Sequence, residues 1–190
     1  MKEHEIIKKI LSGDIRTFSL LVERHQSKAM TLALRMLKNR EDAEEALQDA
    51  FLRVYRALGT FEGKANFSTW FYRIVYNVCA SALEKRGASI LQSLSVDDME
   101  STITSKLDTP DEIMQDNEDT TLIHREIERL PVEYSSVLTL FFVQQLRYDE
   151  ITHVTGLPLG TVKTRLFRGR MMLREALSKK LSDGKFTTNF

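Results

Sequence analysis

An all-α fold, two small helical domains joined by a flexible acidic linker with a helix-turn-helix in the C-terminal one, follows from three observations. Apolar residues recur at three- and four-residue spacing along most of the chain. Gly and Pro, 8 and 3 in 190 residues, are almost absent from those stretches, and no run alternates as a strand would. Charge is segregated by position. Residues 1–90 carry 15 Lys/Arg against 11 Asp/Glu, or +4; residues 91–119 carry Lys106 alone against nine acids, or −8; residues 120–190 carry 11 basic against 7 acidic residues, again +4. The net charge of zero therefore describes no single part of the molecule. The acidic segment has no helical period and contains Thr109-Pro110, and compact domains rarely tolerate structureless loops beyond ~15 residues. The expected organisation is an N-terminal domain over 1–90, a linker over 91–119, a C-terminal domain over 120–182 and a tail over 183–190.

Ile6, Ile10 and Leu11 open the first helical pattern, and Phe18, Leu21, Val22, Ala29, Leu32, Ala33 and Met36 carry a second. Asn39 is the expected N-cap of a third helix, whose first turns hold Glu41, Asp42, Glu44 and Glu45, where the helix dipole favours anions. Ala43, Ala46, Leu47, Ala50, Phe51, Val54 and Leu58 supply its core stripe until Gly59. A fourth helix begins near Phe67, with Phe67, Trp70, Phe71, Ile74 and Val78 predicted to face the core. Tyr72 and Tyr76 then stack one turn apart beside Arg73 and Asn77, on a face that need not be buried. Such rings either hold unpaired bases or fill a small helical core. The preceding polar loop, Glu62 to Asn66, has the composition to line a pocket for an extruded base.

The C-terminal block opens at Pro131 and buries Val137, Leu138, Leu140, Phe141 and Phe142. Two helical patterns follow, Tyr148 to Thr155 and Leu159 to about Leu177, separated by Gly156-Leu157-Pro158. A short helix, a Gly-containing turn and a longer amphipathic helix compose a helix-turn-helix. Residues 160–180 hold seven Lys/Arg against Glu175, a stripe of +6 that attracts phosphate. Thr161, Lys163, Thr164 and Arg165 lie in the first turns, from which a recognition helix reads base edges in the major groove.

Other chemistries find no footing. The four histidines are scattered without ligand spacing to Cys79, so no metal is expected, and no cofactor motif occurs. No Gly-rich phosphate loop or nucleophile–His–acid arrangement appears, so no enzyme activity is expected. The apolar runs are too short to cross a bilayer and the N-terminus is charged, which predicts a cytoplasmic protein without membrane insertion.

Three strings in register resemble one family, the extracytoplasmic-function (ECF, group IV) sigma factors of bacterial RNA polymerase. Asp42-Ala43-Glu44-Glu45-Ala46-Leu47-Gln48-Asp49-Ala50-Phe51 is similar to that family's core-binding helix, and Phe67 to Ile74 followed by Asn77 to its promoter-melting helix. Tyr148 to Ile151 and Gly160 to Arg170 resemble its helix-turn-helix. The loop before Phe67 is most similar to the envelope-stress, sigma-E-like subgroup. Ser81, Glu84 and Ser135 depart from the family's usual residues. The resemblance implies binding of core RNA polymerase through Glu45, Gln48, Asp49 and Arg53. It implies capture of melted minus-ten bases by Lys64, Asn66, Trp70, Tyr72, Arg73, Tyr76 and Asn77. Minus-35 duplex would be read by Thr161, Lys163, Thr164, Arg165, Arg168 and Arg170, and an anti-sigma factor would hold the protein inactive. The alternative is a helix-turn-helix regulator of duplex DNA that is not a polymerase subunit.

Overall fold

A computed structural model describes residues 2–87 and 117–182. Nearly all of the expected linker, and the tail 183–190, lie outside the described residues. The described residues form helices joined by short turns, with no strand among them. The N-terminal half contains α1 (Glu3–Leu11), α2 (Phe18–Leu37), α3 (Arg40–Ala57) and α4 (Phe67–Lys85). Asn39 caps α3 as expected, its side chain accepting from the Asp42 amide at 3.0 Å. Helix α4 is the central element, packed on α2 and α3 from one side and on the C-terminal half from the other. Phe71 at its middle is fully buried, with the rings of His25, Phe51, Phe67 and Tyr72 centred 5.2, 5.2, 6.1 and 5.2 Å away.

A polar contact ties helix α1 to this core, His25 Nε2 to Glu3 Oε1 at 2.8 Å. Burial lowers the pKa of His25, and outweighs the opposing pull of Glu3. The folded state therefore binds this proton less readily than the unfolded chain does. Stability is fully present above the ordinary histidine value of about 6.5 and is lost as pH falls below it. The urea midpoint is expected to fall between about pH 7.5 and pH 5.5, and to fall less steeply in His25→Gln. Equal slopes in the two proteins would remove His25 as a source; His124, lowered by its own burial, accounts for part of any remainder.

The C-terminal half comprises α5 (Asn117–Arg129), α6 (Val132–Leu138) continued by a wide π turn over Thr139–Val143, α7 (Tyr148–Thr155) and α8 (Leu159–Ser182). Helix α5 thus begins inside the last residues of the expected linker, and α8 runs further than Leu177. Gly156 ends α7 at φ +73°, a left-handed conformation that turns the chain through Leu157-Pro158 into α8. Gly169 brings α8 close to α6, since a Cβ there would lie 2.9 Å from Leu138 Cδ1.

The two halves pack against each other. Arg35 of α2 is 4% exposed and donates to Thr139 Oγ1 at 2.7 Å and to the His124 carbonyl at 3.4 Å. Gln144 Nε2 donates to the Lys28 carbonyl at 2.8 Å, and Lys38 Nζ to the Glu128 carbonyl. At the start of α4, Asn66 Nδ2 and Thr69 Oγ1 both donate to Glu150 Oε1 of α7, at 3.3 and 3.0 Å. The charged and polar groups in this seam are met mostly by neutral partners. Burial without a carboxylate contact brings the Arg35 guanidinium down to about 10.

Candidate nucleic-acid and polymerase interfaces

On α3 the 3.6-residue period sends Ala43, Ala46, Leu47, Ala50 and Val54 inward and leaves Glu45, Gln48 and Arg53 exposed, with Asp49 half-buried. Asp49 and Arg53 pair along the helix at 2.9 Å. Leu52, 54% exposed, sits in the same patch, and sequence reasoning missed it. The signal was available, because position 52 falls off the core stripe. An exposed leucine ringed by charged residues has the anatomy of an interface centre.

Helix α4 holds the first correction. Tyr72 is 2% and Tyr76 5% exposed, so neither faces solvent as the sequence pattern allowed. Tyr72 packs on Phe71 and His25, and burial raises both phenol pKa values. The cause is that α4 is covered from two sides, which widens its buried arc beyond a single stripe. Trp70 and Ile74, predicted to be core, are instead half-buried. The outward face of α4 is Trp70, Arg73 and Asn77, spaced by three and four residues, with Arg73 and Asn77 exposed. Trp70 rests on Phe61 and Phe67, with centroids 5.2 and 5.7 Å away. Lys64 and Asn66 are exposed in the preceding loop, where Lys64 pairs with Glu62.

Helix α8 holds the second. Arg165, expected at a base edge, is 2% exposed and lies within electrostatic reach of Tyr76 on α4. Arg170 is turned into its own domain, its guanidinium 5.0 and 5.7 Å from the ring centres of Phe141 and Phe142 and 3.4 Å from the Tyr148 hydroxyl. It anchors α8 to α7 and the π turn, where cation–π contact compensates desolvation. Lys163 is exposed, and Thr161, Thr164 and Arg168 are half-exposed. Phe167, 44% exposed and one turn beyond Lys163, is a further residue on this face that sequence reasoning passed over. Its place off the Val162–Leu166–Gly169–Leu173 stripe was the available signal.

Cys79 is fully buried, and burial pushes its thiol up to about 12, so it is inert as a nucleophile. Among the described residues no three His, Cys, Asp or Glu side chains converge as metal ligands would, and no helix is long and apolar enough to cross a membrane.

Residues 21–89 match the model for sigma-70 region 2, and residues 120–173 match the model for sigma-70 region 4. The RNA polymerase sigma-H factor of Pseudomonas aeruginosa is 32% identical over 187 residues, 96% of this chain and 97% of that protein. The chain belongs to the ECF sigma factors of RNA polymerase. The ECF RNA polymerase sigma-E factor of Escherichia coli K12 is also 32% identical to this sigma factor, over 95% of each chain. Two solved structures share its fold at 20% identity. CnrH in complex with the cytosolic domain of CnrY gives a TM-score of 0.60 over 92% of this chain and 96% of that one. RpoE in complex with the anti-sigma factor NepR, from Bartonella quintana, gives 0.61 over 85% and 96%. A sigma factor directs RNA polymerase to promoters, and whole-length kinship with sigma factors decides against a duplex-only regulator. In this sigma factor, the region 2 match begins within α2 and takes in α3 and α4, and the region 4 match runs from α5 into α8.

Proposed function

We propose that this sigma factor reads its promoters with two separately specialised halves, 1–90 and 120–182, tethered by 91–119. The exposed face of α3, with Glu45, Gln48, Asp49 and Arg53 around Leu52, docks on core polymerase. Leu52→Asp is expected to lower core affinity at least about tenfold, because interface centres exclude charge, while leaving the melting temperature unchanged. Unaltered affinity would move the docking face elsewhere.

Lys64, Asn66, Trp70, Arg73 and Asn77 meet the melted minus-ten strand. A half-exposed indole beside an exposed guanidinium and an amide offers a stacking surface and donors for unpaired bases. Thr161, Lys163, Thr164 and Arg168 meet the minus-35 duplex, where Phe167 adds an apolar contact suited to a thymine methyl. Lys163→Ala is expected to weaken upstream binding by ~1–3 kcal/mol if it reads a base, with relaxed specificity there; a phosphate contact would instead weaken all sequences alike and flatten the salt dependence. No change in either measure removes Lys163 from the interface.

The single observation that carries this reading is that the exposed residues of α4 and α8 divide by chemistry. One face is aromatic and amide-bearing; the other is basic on a helix after a tight turn. Unpaired bases need stacking surfaces, whereas duplex is read by a helix in the groove. With Arg165 buried and within electrostatic reach of Tyr76 on α4, the closed arrangement presents an incomplete duplex reader, and polymerase binding separates the halves. The two structural neighbours are complexes, CnrH with the cytosolic domain of CnrY and RpoE with the anti-sigma factor NepR, which supports an anti-sigma partner here too. The protein itself makes and breaks no bonds and works in the cytoplasm beside the polymerase. Reconstituted transcription tests the whole: core polymerase plus this chain is expected to start RNA at cognate promoters that core alone ignores. Tight duplex binding by the chain alone, with no initiation, would overturn it.

A further inference from the structure

Lys38 ends α2 in a left-handed conformation, φ +56°, which glycine or asparagine ordinarily holds because a Cβ is crowded there. The lysine side chain accounts for its place. It crosses the seam between the halves, and Nζ donates to the carbonyl of Glu128 and, at 3.4 Å, to that of Leu130. These carbonyls lie at the C-terminal end of α5, where helix acceptors lack partners within the helix and the dipole draws a cation. Arg35, three residues earlier on α2, meets the His124 carbonyl of the same helix. Helix α2 thus grips α5 with two cations. Both acceptors of Lys38 are neutral. A deprotonated amine still has two N–H groups, one for each carbonyl, so the contact survives loss of the proton and leaves the lone pair pointing away from both. Burial favours that form: it lowers the Lys38 pKa against the pull of Glu128, and the Arg35 charge acts in the same direction as burial. The residue as a whole is nevertheless exposed at the edge of the seam, within reach of a small reagent. Partial desolvation, a neighbouring cation and access from solvent are the conditions under which a lysine amine becomes nucleophilic.

We propose that Lys38 is an acylation site, and that its modification by a small acyl phosphate unlatches the two halves. The Nζ lone pair attacks the acyl carbon, the bond from that carbon to the phosphate oxygen breaks, and phosphate leaves with the electron pair and takes up the surplus amine proton. No oxidant or reductant takes part. The nearby Arg35 charge favours a donor that is itself anionic. The amide formed has one N–H where the ammonium had three, carries no charge, and brings a further acceptor to a place that already holds two. One α5 carbonyl therefore loses its partner, and the attraction to the helix end is lost. The consequence for DNA rests on the reading that closure restrains α8; the modification and the opening do not.

The test treats the full chain with acetyl phosphate at mildly alkaline pH and follows acetylation at each lysine by peptide mass spectrometry, in the folded protein and in guanidinium. An ordinary lysine reacts no faster folded than unfolded. Lys38 is expected to react severalfold faster in the folded chain, and an equal or lower rate there overturns the site. A chain with acetyl-lysine installed at position 38 during synthesis is expected to show a larger radius of gyration in solution scattering, with unchanged helix content. It should also bind minus-35 duplex severalfold more tightly without polymerase. Lys38→Arg keeps the charge and is expected to stay compact. Lys38→Gly accepts the left-handed turn at little cost while removing the side chain, so it is expected to open and remain folded, and it decides the matter if the acetylated chain does not fold. A compact acetylated chain, or a compact Lys38→Gly, overturns the latch. Opening without any gain in duplex affinity leaves the latch standing and removes instead the reading that closure restrains α8.

Discussion

Phe71→Ala is expected to lower the stability of the N-terminal half by ~3–5 kcal/mol, the cost of deleting a fully buried ring whose neighbours cannot collapse into the void. Four rings surround Phe71, contributed by α2, α3 and α4 itself, and none is long or flexible enough to refill the space. Against a typical total of ~5–15 kcal/mol, such a loss brings the half close to unfolding. Urea denaturation read by helix content measures it. A change below ~1 kcal/mol would mean that α4 repacks, and that its outward face is not held by this cluster. The functional consequence follows from geometry. Trp70, Arg73 and Asn77 present a face only because Phe71 and its neighbours fix the rotation of α4, so initiation is lost along with stability.

Arg35→Glu is expected to part the two halves. Arg35 lies in the seam with Thr139 and a carbonyl as partners, and Glu128 is its electrostatic neighbour. A carboxylate there cannot bond the His124 carbonyl, which only a donor can do, loses the guanidinium's bond to Thr139, and meets Glu128 as a like charge. Leaving a buried charge uncompensated costs ~3–5 kcal/mol, enough to reverse a seam built from a few such contacts. The separated chain is expected to show a larger radius of gyration in solution scattering, with unchanged helix content. It should also bind minus-35 duplex more tightly without polymerase, because Arg165 becomes accessible. An unchanged radius and unchanged duplex affinity would show that the closed packing does not govern access to α8. Arg35→Met separates charge from shape. Similar bulk without the desolvated guanidinium is expected to preserve closure, since replacing a buried ion by apolar bulk is often neutral or stabilising.

The closed arrangement also explains the pattern of agreement between expectation and structure on α4 and α8. Where a residue's environment depends on its own helix, the sequence pattern located it. Asn39 caps α3 because its side chain reaches the amide three residues on, and Gly156 turns the chain because it alone accepts a left-handed φ at little cost. Val162, Leu166 and Leu173 are buried by the spacing that predicted them. Tyr72, Tyr76, Arg165 and Arg170 were misplaced because their surroundings come from elsewhere in the chain. Tyr72 meets His25 of α2, forty-seven positions away; Arg165 is buried within electrostatic reach of Tyr76 on α4; Arg170 bends over rings of the π turn. Leu52 and Phe167 were missed for a different reason: both are apolar, and attention to charged and aromatic motifs passed over exposed hydrophobes.

Helix content, the helix-turn-helix, the segregated charge and the kinship with sigma factors were all determined by local order along the chain, through interactions within three or four residues or within one block. What only the tertiary structure decided is which side chains remain available. The +6 stripe of α8 is a property of sequence, yet Arg165 within it is covered and Arg170 is spent on internal packing. Helical periodicity assigns one inward face per helix, whereas α4 and α8 are packed on more than one side. On α4 the second covering surface belongs to the C-terminal half, with Glu150 81 positions on from Thr69, and no local pattern encodes it.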